Sequence, residues 1–245
     1  MDERAFLFAI SAIEVISRIL EMKRFFHEEL EAVRSHLMEM GERAVESANL
    51  ALRALEQRDL DIADSVIEGD DMIDAIETRI DEEVARYISL RAPVAKDLRL
   101  LFVAVKASHD LERVGDEATS IAKRTKKILV SNETYRGLGR VPDMCELAIS
   151  MLKEALLSFI QEEEDIAYQI IRRDKEVDAL NHENFKEFVE LMKDDSSKVD
   201  VYAEMIFISK SFERIADHAK NIAEEVYFLL TSQSLKQVIK EESQT

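Results

Sequence analysis

Helix breakers are scarce in this chain. Among its 245 residues there are two prolines, five glycines and no tryptophan. That scarcity excludes a fold of many short strands and tight reversals, which needs glycine and proline at its turns. The single cysteine, Cys145, excludes an internal disulfide and also zinc sites built from four thiolates or from paired cysteines and histidines; a reducing compartment fits it. Positive charge is in deficit as well. Lys and Arg number 33 against 51 Asp and Glu, a formal net charge of -18, which argues against nucleic acid or an anionic lipid surface as a partner because both repel an acidic protein. Long apolar runs are missing. Ala5 to Ile16 is apolar, but it is too short to span a bilayer, is interrupted by Glu14 and is followed by no small-residue cleavage pattern, so direct membrane insertion is not expected.

What is present is helix-forming and repeated. Leu, Ile, Ala, Glu, Lys and Arg dominate the composition. Residues 111–122 read Leu-Glu-Arg-Val-Gly-Asp-Glu-Ala-Thr-Ser-Ile-Ala, and residues 212–223 read Phe-Glu-Arg-Ile-Ala-Asp-His-Ala-Lys-Asn-Ile-Ala, at a constant offset of 101. Asp61-Ile-Ala, Ile67, Asp70 and Asp74 return as Asp165-Ile-Ala, Ile171, Asp174 and Asp178, at an offset of 104. Two halves on one plan, with acids at i and i+4 in corresponding places, point to a duplicated unit carrying a duplicated site.

Apolar spacing predicts the helices. Leu30, Val33, Leu37, Met40, Ala44, Ala48 and Ala51 mark a first helix from Phe25 to about Leu55, with Asp59 or Asp61 capping the next. Ile62, Val66, Gly69, Ile73, Ile76, Ile80, Val84 and Tyr87 form the stripe of a second helix ending near Arg91. Pro93 suits the first position of a third, which runs through Leu101, Ala104, Ala107, Leu111, Val114, Ala118 and Ile121 to about Val130. Gly137, Gly139 and Pro142 mark a linker, and three further helices follow at about 143–162, 164–192 and 197–231, the last opened by a capping box from Ser197 to Asp200. The expectation is an all-α protein of two homologous antiparallel three-helix bundles: an extension over 1–24, a first repeat over 25–131, a linker over 132–142, a second repeat over 143–231 and a polar, fraying tail over 232–245. The first 21 residues have no counterpart in the second half, and Met22-Lys-Arg-Phe-Phe-His makes a natural beginning. The stretch before it reads either as an added amphipathic helix or as an upstream misreading of the start codon.

The repeated acids share one phase. Asp70 and Asp74 follow the stripe residues 69 and 73 by one position, about 100° round the helix, and Asp174 and Asp178 follow 173 and 177 in the same way, although Arg173 weakens the stripe there. Glu112 and Asp116 follow Leu111 and Gly115, and Glu213 and Asp217 follow Phe212 and Ala216. In an antiparallel pair, 70 and 74 lie beside 116 and 112, which gathers four carboxylates per half. Two unit charges ~4 Å apart at an effective dielectric of ~20 repel by ~4 kcal/mol, and a bound cation removes that conflict. Roughly ten acidic i, i+4 pairs are expected by chance in so acidic a chain, and most are solvated faces. Four pairs at repeat-equivalent positions and in equal phase are much harder to obtain that way. Oxygen-only ligation favours iron, manganese, magnesium or calcium, with zinc also accepting carboxylates. His218 and His109 are weaker candidates, and Arg113 and Arg214 read best as i, i+3 partners of Asp116 and Asp217.

Arg91-Ala-Pro-Val-Ala-Lys-Asp-Leu-Arg99, then His109-Asp-Leu-Glu-Arg-Val-Gly-Asp116, then Phe212-Glu-Arg-Ile-Ala-Asp-His-Ala-Lys-Asn-Ile-Ala-Glu224 resembles the PhoU family of phosphate-signalling regulators over about residues 25–231. The resemblance implies two three-helix repeats whose Glu/Asp-x-x-x-Asp motifs bind multinuclear iron or zinc clusters: Asp70/Asp74 and Glu112/Asp116 in the first half, Asp174/Asp178 and Glu213/Asp217 in the second. Glu117 and Ser120 depart from the more family-like His218 and Asn221, which puts an equal metal load in the two halves in question. The resemblance also implies a cytoplasmic negative regulator of phosphate uptake and of the starvation response, commonly a homodimer. Its partners would be the ATPase subunit of a phosphate ABC transporter and a sensor histidine kinase, which place it at the inner face of the membrane. No catalytic nucleophile or Gly-rich phosphate loop is evident. The alternatives are a di-metal carboxylate enzyme of helical-bundle type, whose Glu-x-x-His pairs are missing here, and a metal-free helical adaptor with a solvated acidic face.

Overall fold

The computed structural model describes the backbone of residues 3–131 and 135–242 and the side chains of residues 28–131 and 135–240. The elements are α1 (Glu3–Gln57), α2 (Leu60–Arg91), α3 (Ala95–Val130), α4 (Val141–Gln161), α5 (Asp165–Asp194), α6 (Val199–Thr231) and α7 (Leu235–Glu242), with a 3-10 turn at Ser196–Lys198 before α6. There is no strand among the described residues. Short connections make consecutive helices antiparallel, so α1 to α3 form one bundle and α4 to α6 a second. α3 and α6 lie at the centre. α3 packs on α1, α2 and α6, α6 packs on α3, α4 and α5, and α1 meets α4.

Both halves contribute to one continuous apolar core. Every stripe residue expected in α3 is buried, from Leu101 to Ile121, as are Val33 to Ala51 in α1. In α2 the stripe holds from Val66 to Tyr87, but Ala63 takes the buried place at its start, Ile62 is half-buried and Gly69 is exposed. Phe159, Phe188, Tyr202 and Phe212 are the largest buried side chains of the second half, and Phe188 stacks on Tyr202 with ring centroids 5.8 Å apart. Truncating such a ring to alanine costs about 3–5 kcal/mol through lost burial and the cavity left behind.

Helix ends follow local chemistry, not always at the expected residue. Asp59 caps α2, its carboxylate accepting from Asp61 N at 2.9 Å and Ile62 N at 3.1 Å. α2 closes with Ala92 in the left-handed region, φ 47°, its N–H donating to Ile88 O. Pro93 and Val94 then continue as a link and α3 starts at Ala95, two residues after the proline expected to open it. Pro142 is not in the linker but in the first turn of α4, where its missing N–H costs no hydrogen bond. At the start of α6 the expected Ser197–Asp200 capping box is replaced: Asp195 accepts from Ser197 N at 3.1 Å and caps the 3-10 turn. The tail from Ser232 contains α7, anchored by buried Leu235, so it is more than a frayed end up to Glu242. Residues 3–24 continue α1 without a break; their side chains and residues 1–2, 132–134 and 243–245 lie outside the described parts.

The linker is held down. Gly139 has φ +54°, and a Cβ there would meet Asn184 Oδ1 at 2.5 Å. Arg140 N donates to the same oxygen at 2.6 Å, while Asn184 Nδ2 donates to Ser209 Oγ at 2.9 Å. The Tyr135 hydroxyl donates to Leu55 O at 2.6 Å. Buried Asn184 thus ties the linker to α5 and α6 with its own polar atoms satisfied.

Candidate functional site

The two acidic seams lie between α2 and α3 and between α5 and α6. In the first half, neighbours fall as the antiparallel pairing requires. Asp70 is close enough to Asp74 and Asp116, and Glu112 to Asp116, Glu77 and Asp74, for their charges to act on one another. Burial pushes the Asp70 and Glu112 carboxyls above their ordinary values, and the neighbouring acids push them further. Thr119 offsets part of this at Asp70, although its buried hydroxyl makes no hydrogen bond of full geometry. Among the described residues no cation stands within ion-pair distance of Asp70 or Asp74. Gly115 makes the close approach possible: a Cβ there would meet Ile73 Cδ1 at 2.9 Å and Asp70 Oδ1 at 3.1 Å.

The second seam has the same acids and a different occupant. Lys220 Nζ donates to Asp174 Oδ2 at 2.7 Å and to Asp217 Oδ1 at 2.6 Å, joining α5 to α6. Burial raises the Asp174 carboxyl and Lys220 takes part of that back. For Lys220, burial pulls downward but is outweighed by the two carboxylates, which push the ammonium well above its ordinary range, so it stays charged. Glu213 is buried and paired with Lys210 at 2.5 Å, and Asp178 is exposed. Lys220 is the repeat-equivalent of Thr119 at the same offset of 101, and Ala216 of Gly115. The lysine was visible in the doubled motif as Ala-Lys-Asn against Ala-Thr-Ser; attention to the repeated acids alone passes over it.

The remaining candidates have plainer roles. Arg113 pairs with Asp116 at 2.8 Å as its spacing predicts, and its Nε lies 3.0 Å from Glu112 Oε2. Arg214 does not pair with Asp217; it donates to Glu117 of the first half at 3.0 Å. His218 Nδ1 lies 2.8 Å from Asp110 Oδ1, also across the halves, and His109 lies 3.3 Å from Glu77 at the surface. Arg173, the misfit in the α5 stripe, reaches Glu154 on α4 and Ser150 Oγ, at 3.2 Å, and its hydrogen bond holds the Glu154 carboxyl below its usual range. Glu204, buried on α6, accepts from Arg124 at 2.7 Å and from Lys127 on α3. These crossings fasten the two bundles along α3 and α6.

Among the described residues, no group of three or more His, Cys, Asp or Glu side chains is arranged to hold a metal ion as it stands. The donor chemistry of the first half nevertheless suits a hard cation: four carboxylates, two of them destabilised as anions by burial, with Asp70 and Asp74 outside ion-pair distance of any described cation. In the second half the ammonium already holds the two central carboxylates.

Fold and site together define a duplicated helical-bundle scaffold with one acidic seam in each half. A model of the PhoU domain matches residues 37–125 and again residues 141–226. A phosphate-specific transport system accessory protein PhoU homolog from Pseudomonas aeruginosa is 37% identical over 213 residues, 87% of this chain and 88% of that protein. One from Clostridium acetobutylicum is 34% identical over 215 residues, 87% of this chain and 97% of its own length. The crystal structure of PhoU from Pseudomonas aeruginosa superposes with a TM-score of 0.82 at 38% identity, covering 85% of this chain and all of that one. The phosphate transport system regulatory protein PhoU from Streptococcus pneumoniae gives 0.78 at 29% identity, covering 86% and 99%. The chain belongs to the PhoU family.

Proposed function

We propose that this protein is an accessory regulator of a phosphate-specific transport system, not an enzyme. The observation that carries the reading is likeness at 34–37% identity over 87% of the chain to proteins named as accessories of that system. In this reading it restrains phosphate uptake and the starvation response, docking on the transporter's ATPase subunit and on a sensor histidine kinase at the cytoplasmic face of the membrane, as a homodimer. No described helix is long and apolar enough to cross a membrane. The architecture suits a docking body. Long helices fastened across α3 and α6 by Glu204, Arg214 and His218 present rigid faces, and side chains held on rigid elements keep their spacing when a partner binds.

Asp70, Asp74, Glu112 and Asp116 would hold iron, or zinc, manganese or magnesium, once their carboxylates turn toward one another. A bound ion supplies positive charge that offsets their repulsion and ties α2 to α3. Asp174, Asp178, Glu213 and Asp217 are the corresponding second-half set of the family motif. Deleting the gene should leave the phosphate-starvation reporter on in phosphate-rich medium, and the intact chain should restore repression and co-purify with the ATPase subunit. Unchanged reporter output after deletion would refute the regulatory reading. Asp70→Ala with Asp116→Ala then asks whether the ion matters to it: continued repression after loss of metal would confine the ion to a structural role.

A further inference from the structure

The second seam has a cation bridging its two facing aspartates, where in the first Arg113 pairs with Asp116 and Glu112 on its own helix and Lys123 acts on Asp70 only from beyond ion-pair distance. Asp174 and Asp217 are the repeat-equivalents of Asp70 and Asp116, and the Lys220 ammonium stands between them at 2.7 and 2.6 Å. An ammonium has one positive charge and three donors, so it neutralises and hydrogen-bonds the oxygens that an incoming ion would need. Its side chain is only 20% exposed and Asp174 14%, while Asp217 at the outer end of the bridge is 45% exposed. An ion can bridge Asp174 Oδ2 and Asp217 Oδ1 only after the ammonium withdraws from both, and Lys220 remains on the same turn of α6 as Asp217 to repel it. Glu213, the next acid along α6, is likewise engaged by Lys210. Position 119 of the first half offers only a neutral hydroxyl.

We infer that Lys220 is a built-in counter-cation that takes the place of a metal ion in the second half, so that this chain loads ions through Asp70, Asp74, Glu112 and Asp116 alone. The inference rests on reading the first-half acids as an ion site, and its test separates the two. Chelator-stripped protein is given iron(II) or zinc salts, excess is removed, and bound metal is counted by elemental analysis, with the thermal midpoint recorded with and without metal. The wild type is expected to hold ions that Asp70→Asn with Asp116→Asn removes and Asp174→Asn leaves unchanged. Lys220→Thr should roughly double the content and gain a metal-dependent rise in midpoint, while Thr119→Lys should abolish the load. A wild-type content that falls with Asp174→Asn, or a Lys220→Thr protein holding no more than the wild type, overturns the inference. A wild type without metal defeats the first-half reading by itself; ions acquired only by Lys220→Thr would still uphold the lysine's role, and none in either protein would end both. Should Lys220→Thr fail to fold, Thr119→Lys decides, because a retained load contradicts the idea that an ammonium at this position excludes an ion.

Discussion

Thr119 and Lys220 occupy one position in two copies of a single motif, and they resolve the same conflict differently. Each half packs an aspartate of one helix against an aspartate of the next beside a buried apolar seam. Desolvation makes that arrangement costly wherever the charges stay unmatched. The second half carries its matching charge on α6, where Lys220 spans Asp174 and Asp217. The first half has a threonine there and a glycine, Gly115, that lets α2 press close, so Asp70 stays unpaired and is raised by burial. The two halves therefore share the backbone plan and the acids but differ in their electrostatics: one seam has its facing aspartates bridged by a lysine of the chain, and the other leaves Asp70 without an ion pair.

The comparison breaks most visibly at Lys220. In metal-free protein, Lys220→Met leaves two half-buried carboxylates facing each other and should destabilise by about 1–3 kcal/mol, between the values for exposed and buried pairs, in urea unfolding. Thr119→Lys should do the reverse and stabilise the metal-free protein by about 1 kcal/mol, with chelator no longer affecting its unfolding. Asp70→Asn should give a smaller gain at pH 7, below about 1 kcal/mol, with a specific pH dependence. Because the folded Asp70 carboxyl lies above its ordinary 3.8, the folded chain takes its proton more readily than the unfolded one. Its contribution to stability is full below pH 3.8 and is lost as pH rises through the raised value, so the advantage of the asparagine should vanish in unfolding curves below pH 3.8. Smallest of all, Arg113→Ala and Arg214→Ala should each shift stability by about 0.5 kcal/mol or less, since both arginines are largely exposed; only Arg214→Ala should loosen the contact between the halves, read as faster amide exchange along α3 and α6.

Periodicity made most of the fold legible. Stripes such as Leu101 to Ile121 repeat every three or four residues because one helix face must leave water, and the same rule put the acids of both repeats beside the seam in one phase. The helix ends were less so. Pro93 and the Ser197–Asp200 pair each satisfied a local rule, but Ala92 in its left-handed turn and the Asp195 cap settled the actual starts of α3 and α6. Leu235 is buried by α6, so a tail polar in composition still forms a helix. Long-range pairs were the least legible. Nothing in the local spacing of Arg214 distinguishes Asp217, three residues away, from Glu117 in the other half, and Lys220 acquires its second carboxylate only when α5 and α6 meet.

The difference between the seams can be seen directly by anomalous scattering from crystals grown with iron or zinc. The account predicts a metal peak beside Asp70 and Asp116, with Lys220 still bridging Asp174 and Asp217. A peak of equal height between Asp174 and Asp217, with the lysine turned away, would contradict it.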